Sequence, residues 1–409
     1  MTLLATNPAF RRYWLARLAS YAGDQIAHTA LLIAVFAGRG GTALGLLLLA
    51  GTLPRLAGPL LGALADRYPQ RPLMVACDLG QAALYLLLAL TMPALPVLLV
   101  VIAAATTLAT IYTPSGRSLL PRMVGTPQIP AANAQLAVAV NAGIAAGPAL
   151  GGLLLAWLGL SGTLLVNVVT FTASAALIGL HRIHPVAEEE PEPAEDFGAG
   201  LRAGLAVVRS DPVVRAVCAV FFLSVMFAAL DNVAVIPLGL TNLNARPALV
   251  GLLGTAYGIG MILAPLLLSQ LLRRPGLPAT RVLYTALAGF GAGTLLTGAS
   301  PVLGMALAGQ ALAGAGNGWE NVANDTLIQQ HVPRHRLGTV FGTVYTFPYA
   351  AAALAYGLGA PLLNWAGPRW VLALSGTGVL LTLALAYPML SRRMIAPGPD
   401  TAVATSGPS

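Results

Sequence analysis

Lysine is absent: all 22 basic side chains of this 409-residue chain are arginine. That excludes a Walker A loop, whose lysine rests on nucleotide phosphates, and Schiff-base chemistry. A nucleotide-driven pump would need another chain. Charge of either sign is scarce, at 9% against about 25% in soluble proteins. A soluble globule of this size could not cover its surface with so few. Cysteine is limited to Cys77 and Cys218, each inside an apolar run, which reads as two buried thiols rather than a disulfide framework or a metal site. No metal or other cofactor is expected, and no cleavage site of small residues follows the first apolar run, so no signal peptide is expected. What fills the chain is apolar: 57% hydrophobic residues with 45 glycines and a mean hydropathy of +0.77. The solvent that suits this composition is lipid.

A membrane span takes about 20 apolar residues. Apolar runs fall at about 13–37, 43–65, 73–92, 97–118, 131–158, 163–180, 213–240, 249–272, 280–299, 302–329, 338–366 and 369–390. This pattern predicts an all-α protein of twelve transmembrane helices. Asp211-Pro212 is an N-cap followed by Pro at the first helical position, and Gly367-Pro368 opens the last run similarly. With the N-terminus in the cytoplasm, only Arg39, Arg246 and Arg369 face outward. Arg17 and Arg55 lie within spans, and the other 17 of the 22 arginines face inward, as the positive-inside rule requires. Both termini are then cytoplasmic, and the Ala/Leu/Gly/Arg-rich composition points to a bacterial inner membrane. The net charge of +8 is explained by that placement without nucleic acid.

The expected organisation is a six-helix bundle over 1–180, a linker over 181–212, a second bundle over 213–393 and a disordered tail over 394–409. The linker carries Glu188, Glu189, Glu190, Glu192, Glu195 and Asp196 among prolines and reads as solvated chain. After it, Phe197, Leu201, Leu205 and Val208 recur at helical spacing, which suggests an interfacial helix. The two bundles repeat. Asp24-Gln25 matches Asp231-Asn232 at an offset of 207, Pro59 and Arg67 match Pro265 and Arg273 at 206, and Ser118 matches Thr326 at 208. An offset that stays within 206–208 across three helix pairs predicts two pseudo-symmetric halves around a central pathway, as in secondary transporters.

An acid at the bilayer centre costs roughly 2.5–3.5 kcal/mol on insertion scales, so it should face a cavity or a partner. Asp24 lies mid-run, His28 one turn on shares its face, Arg17 lies seven residues back on that face, and Arg55 should reach similar depth. Asp231 is the repeat-equivalent acid. Asp24 has three readings: a carboxyl whose proton occupancy changes between states, tuned by His28 or Arg55; a static Asp24–Arg55 pair; or a substrate contact. Glu320, with Asn317, Asn321 and Asn324, makes a polar stripe that would attract a cationic amphiphile. Tyr21, Gln25, Phe227, Asn232, Tyr257 and Tyr345 are candidates for the same cavity, against the plainer reading of packing or lipid-facing aromatics.

Two motifs carry the remaining signal. In the loop after the second run, Gly62 allows close helix approach, and Asp66 and Arg67 sit at the lip with Arg71. The acid can clasp the other half there, and Asp78 could join; the plain alternative is loop charge. In the fifth run Gly143, Gly147 and Gly151 form one flat face, with Gly152 beside it and Pro148 bending the helix. The loop resembles the signature of the major facilitator superfamily, with Pro69 and Gln70 departing from it. The fifth run resembles the antiporter motif of drug:proton exporters in that superfamily. Asn7-Pro8-Ala9-Phe10, Thr52-Leu53-Pro54-Arg55 and Pro114-Ser115-Gly116-Arg117 resemble its macrolide-efflux and enterobactin-exporter branch. The resemblance implies a transporter that exports a small amphipathic compound against protons by alternating access, and the chain is expected to act as a monomer. A lysophospholipid mover and a nutrient importer are alternatives on the same fold, and a non-transporting sensor is the alternative of another class.

Overall fold

The computed structural model describes residues 3–65, 67–180, 206, 209–271, 278–332, 344 and 346–391. In hydrocarbon every backbone N–H and C=O must be paired within the chain, so spans are helices. They are α1 (Leu3–Thr6), α2 (Pro8–Ala50), α3 (Leu53–Leu56), α4 (Gly58–Ala65), α5 (Gln70–Thr91), α6 (Leu95–Val124), α7 (Ile129–Gly179), α8 (Pro212–Pro237), α9 (Pro247–Leu271), α10 (Ala279–Ala299), α11 (Leu303–His331), α12 (Thr346–Ala366) and α13 (Pro368–Ser391). Among the described residues eight helices are long and apolar enough to cross a membrane.

Two of these helices each supply two spans. α2 turns at Gly40 (φ 76°) and α7 at Gly159 (φ 68°), a backbone region that only glycine enters freely. Neighbours on α2 show the reversal at Gly159. A Cβ on Gly151 would meet Ile26, and a Cβ on Gly23 would meet Asn167 and Thr170. In a straight helix residues 151 and 167 would stand about 24 Å apart; here they flank adjacent positions of one helix. Counting the legs of α2 and α7, with α3 and α4 extending the second leg of α2, the helices make twelve spans in two six-helix bundles.

Alternate helix ends share a face. Near the termini, Asn7 Nδ2 donates to the Met123 carbonyl (2.8 Å) and Arg71 Nε to that of Ile178 (2.9 Å). At the opposite face, Arg39 donates to the Pro93 carbonyl (2.7 Å), and Arg369 to those of Gly298 (3.0 Å) and Ser300 (2.8 Å). The expected cap at Asp211 is formed: its carboxylate accepts from the N–H groups of Val213 (2.7 Å) and Val214 (3.0 Å).

Hydrophobic packing divides by depth. Toward the face opposite the termini one core joins both bundles, with Leu44 and Leu47 clustered with Leu230, Val233, Tyr356 and Leu363. Toward the terminal face the packing splits into two clusters. One holds Phe10, Met74 and Met123 of the first bundle, the other Val217, Leu283 and Leu327 of the second. The bundles are thus fused at one face and separate at the other. Exposed Trp157, Trp365 and Trp370 mark the fused face as a membrane–water boundary.

Candidate functional site

The fused face is sealed by small residues. A Cβ on Gly152 would come within 2.5 Å of the Pro247 carbonyl, and Gly254 leaves room for Pro148. The Ala149 N–H donates to Thr255 Oγ1 across the seam (3.0 Å). On the other side of the same leg, Gly143 faces Tyr21 and Ala22, Gly147 faces Gln25, and Gly151 faces Ile26. The glycine stripe and Pro148 therefore form the joint between α2, α7 and α9. A second joint runs from α2 to α12, where Gly45 meets Ala360 and Asn364 Nδ2 donates to Thr42 Oγ1 (2.7 Å).

A cavity of about 590 Å³ is walled by the first bundle and, from the second, by Tyr349. Arg17, Tyr21 and Asp24 of α2 contribute to its wall, with Arg55 of α3, Tyr112 and Arg117 of α6, Phe171 of α7 and Tyr349 of α12. Gly62, expected to allow a close helix approach, lines this space. A Cβ there would meet Pro114 only at 3.9 Å, ordinary contact, so nothing is packed tightly on it in this state.

Three of the four charges on the wall have a neutral partner. Asp24 accepts from Tyr85 Oη (3.1 Å), and Tyr85 stacks on Phe171 with centroids 5.8 Å apart. Arg17 sits over the Tyr112 ring (5.1 Å) and Arg55 over the Tyr349 ring (5.9 Å), aromatic faces that suit a cation. His28 is exposed, with Asp24 and Arg55 as its charged neighbours.

The second bundle holds its acids differently. Asp231 is buried and accepts from Gln310 Nε2 (3.0 Å). Glu320 is 1% exposed, beside Ser224 and Asn324, and its Oε1 has no hydrogen-bond partner. Phe227 fits against Gly378 inside the second bundle. Tyr257 meets Phe290 edge-on. Asn232 donates to Tyr356 Oη (3.0 Å), and Asn321 to Asn317 Oδ1 (3.2 Å). Of the expected substrate contacts, Tyr21 lies on the described cavity wall, whereas Glu320 and Phe227 pack within their own bundle.

At the loop, Asp66 lies outside the described residues, as do Tyr345 and most of the acidic linker. Arg67 is exposed. Arg71 caps the carbonyl end of α7 through Ile178 and Gly179 (2.5 Å), a favourable place for a cation. Asp78 does not join these arginines. It is fully buried and accepts from Ser174 Oγ (2.6 Å), behind Arg17 and Tyr112. Sequence reasoning left Tyr112, Arg117, Phe171, Tyr349 and Tyr85 out of the site.

The model of the transmembrane secretion effector family matches residues 4–397. The multidrug efflux pump Tap of Mycolicibacterium fortuitum is 28% identical over 367 residues, covering 85% of each chain. The enterobactin exporter EntS of Escherichia coli O1:K1 is 26% identical over 401 residues, covering 94% of each. Among solved structures, the nucleoside transporter NupG superposes with a TM-score of 0.76 at 12% identity, over 93% of this chain and 98% of that one, a likeness of fold. Two helix bundles joined at one face, with a charged cavity on the wall of the first, accompany a family match over nearly the whole chain, which establishes that this protein belongs to the transmembrane secretion effector family of major facilitator transporters.

Proposed function

We propose that the protein is a secondary active exporter, driven by proton entry, that moves a small amphipathic compound out of a bacterial cell. The observation that carries this reading is the pairing of a sealed face with a cavity at the other face. The arginine bias places the open face in the cytoplasm with both termini, in the inner membrane, and the chain works as a monomer. Rocking the bundles about the seam would carry cavity contents from one side to the other. The efflux activity in the names of Tap and EntS supports the outward direction.

Asp24 is the coupling group in this reading. It is the carboxylate on the cavity wall, and its hydrogen bond to Tyr85 can be kept or released as the wall moves. A proton entering down the membrane potential supplies about 2.3 kcal/mol per 100 mV, enough for modest accumulation. The gate role of Asp66, Arg67 and Arg71 and the antiporter meaning of the α7 glycines belong to the same proposal.

The test is reconstitution in liposomes with an imposed proton gradient, screened over macrolides, cationic dyes, siderophores and lysolipids. Gradient-dependent movement of one class, lost in Asp24→Asn, supports the proposal. Uphill transport by Asp24→Asn with unchanged pH dependence refutes the coupling role. Movement of lysolipid alone would favour a lipid mover.

A further inference from the structure

The charged side chains of the cavity wall are unequally divided. Arg17, Arg55 and Arg117 face the space with Asp24. Asp24 is engaged by Tyr85, and Asp78, which partly offsets Arg17 from behind, is engaged by Ser174. Even counting Asp78, the wall is net positive. A cleft with weakly polar walls and a net charge of one sign concentrates ligands of the other.

The form of the charge matters as much as its sign. The guanidinium groups of Arg17 and Arg55 rest on the rings of Tyr112 and Tyr349. A guanidinium is planar and carries five N–H donors, more than an aromatic neighbour can occupy, so it can offer paired donors to a flat oxygen anion. Tyr21 and Phe171 add aromatic surface to the same wall.

The inner repeat shows that the positive charge belongs to the first bundle. Arg17 corresponds to Ser224 at an offset of 207, and Tyr112 and Arg117 correspond to Glu320 and Asp325 at 208. The second bundle thus replaces the Arg17–Tyr112 couple by a serine and a carboxylic acid, and Arg117 by an aspartate. Glu320 is buried within that second bundle.

Resting on the carrier reading, we infer that the transported compound is an organic anion with an aromatic body, held by Arg55 and Arg17 on the first bundle. A cationic amphiphile would set its charge against three arginines, a repulsion that works as selectivity.

Fluorescein and rhodamine 6G share a xanthene body and differ in charge, so they serve as probes. Their binding to the purified full-length chain in detergent, without any gradient, is read by fluorescence anisotropy. Wild type should bind fluorescein at least tenfold more tightly than rhodamine 6G, and added salt should weaken the fluorescein. Arg55→Gln should lower fluorescein affinity about tenfold, with partial recovery in Arg55→Lys. Arg55 is exposed, so its replacement leaves the packing intact; Arg17→Gln is the second variant, with thermal unfolding compared for both. Equal or tighter binding of rhodamine 6G, or fluorescein binding unchanged in both glutamine variants, overturns the inference. The two readings fail separately. A protein that prefers fluorescein but moves nothing in liposomes keeps the anion site and loses the carrier reading. One that pumps rhodamine 6G without affinity for fluorescein keeps the carrier reading and loses this site.

Discussion

At the scale of single residues, the first bundle is held by buried polar bonds with few spares. Asp78 is fully buried, and Ser174 is the donor to its Oδ2 (2.6 Å), while its Oδ1 has no partner. Removing that donor leaves a buried carboxyl unsatisfied, at a cost of about 1–3 kcal/mol. Ser174→Ala should therefore lower the thermal unfolding midpoint in detergent by several degrees without changing dye binding at the cavity. Tyr85→Phe should weaken transport while preserving the fold, because the ring still stacks on Phe171 and only the bond to Asp24 is lost. Measured uphill accumulation should fall toward that of Asp24→Asn. The sequence marked Asp24, Arg55 and Asp231 because an ion in an apolar run needs a partner. It could not tell Glu320 from a cavity residue. Both the lipid side and the packed side of a membrane helix are apolar, so spacing reports depth along the axis and leaves the facing direction open. For the same reason Phe227 and Asp78 were read onto surfaces they do not occupy, and Tyr349 was passed over.

At the scale of helices, boundaries were far more legible than faces. The gaps at 38–42 and 159–162 contain Gly40 and Gly159, the two positive-φ turns within α2 and α7, and the cap at Asp211 forms as its sequence implies. The glycines of α7 were legible as a flat face, while their partners α2 and α9 emerged only with the fold. The seam predicts a sharp contrast. At Gly152 a Cβ would meet the Pro247 carbonyl at 2.5 Å, whereas nothing lies within 4 Å of one at Gly357. Gly152→Leu should hold the seam open and reduce transport at least tenfold in protein that still inserts and folds. Gly357→Ala should transport normally, with stability unchanged or raised by about 0.4–1 kcal/mol. Liposome transport and size-exclusion profiles of the two variants check both halves of this expectation.

At the scale of the whole molecule, the account depends on one motion: bundles fused at one face and separate at the other must exchange that arrangement. The seam bond between Thr42 and Asn364 and the terminal-face positions Arg122 and Gln329, both exposed, report the two ends. Cysteines at 42 and 364 in a background without Cys77 and Cys218 should crosslink readily, abolish transport, and recover it on reduction. The most direct measurement is the distance between spin labels on each pair, 42–364 and 122–329, in liposomes as pH and substrate are varied. The account predicts opposed changes, the 42–364 distance lengthening as the 122–329 distance shortens. Two distances that stay fixed, or that change in the same direction, would contradict it.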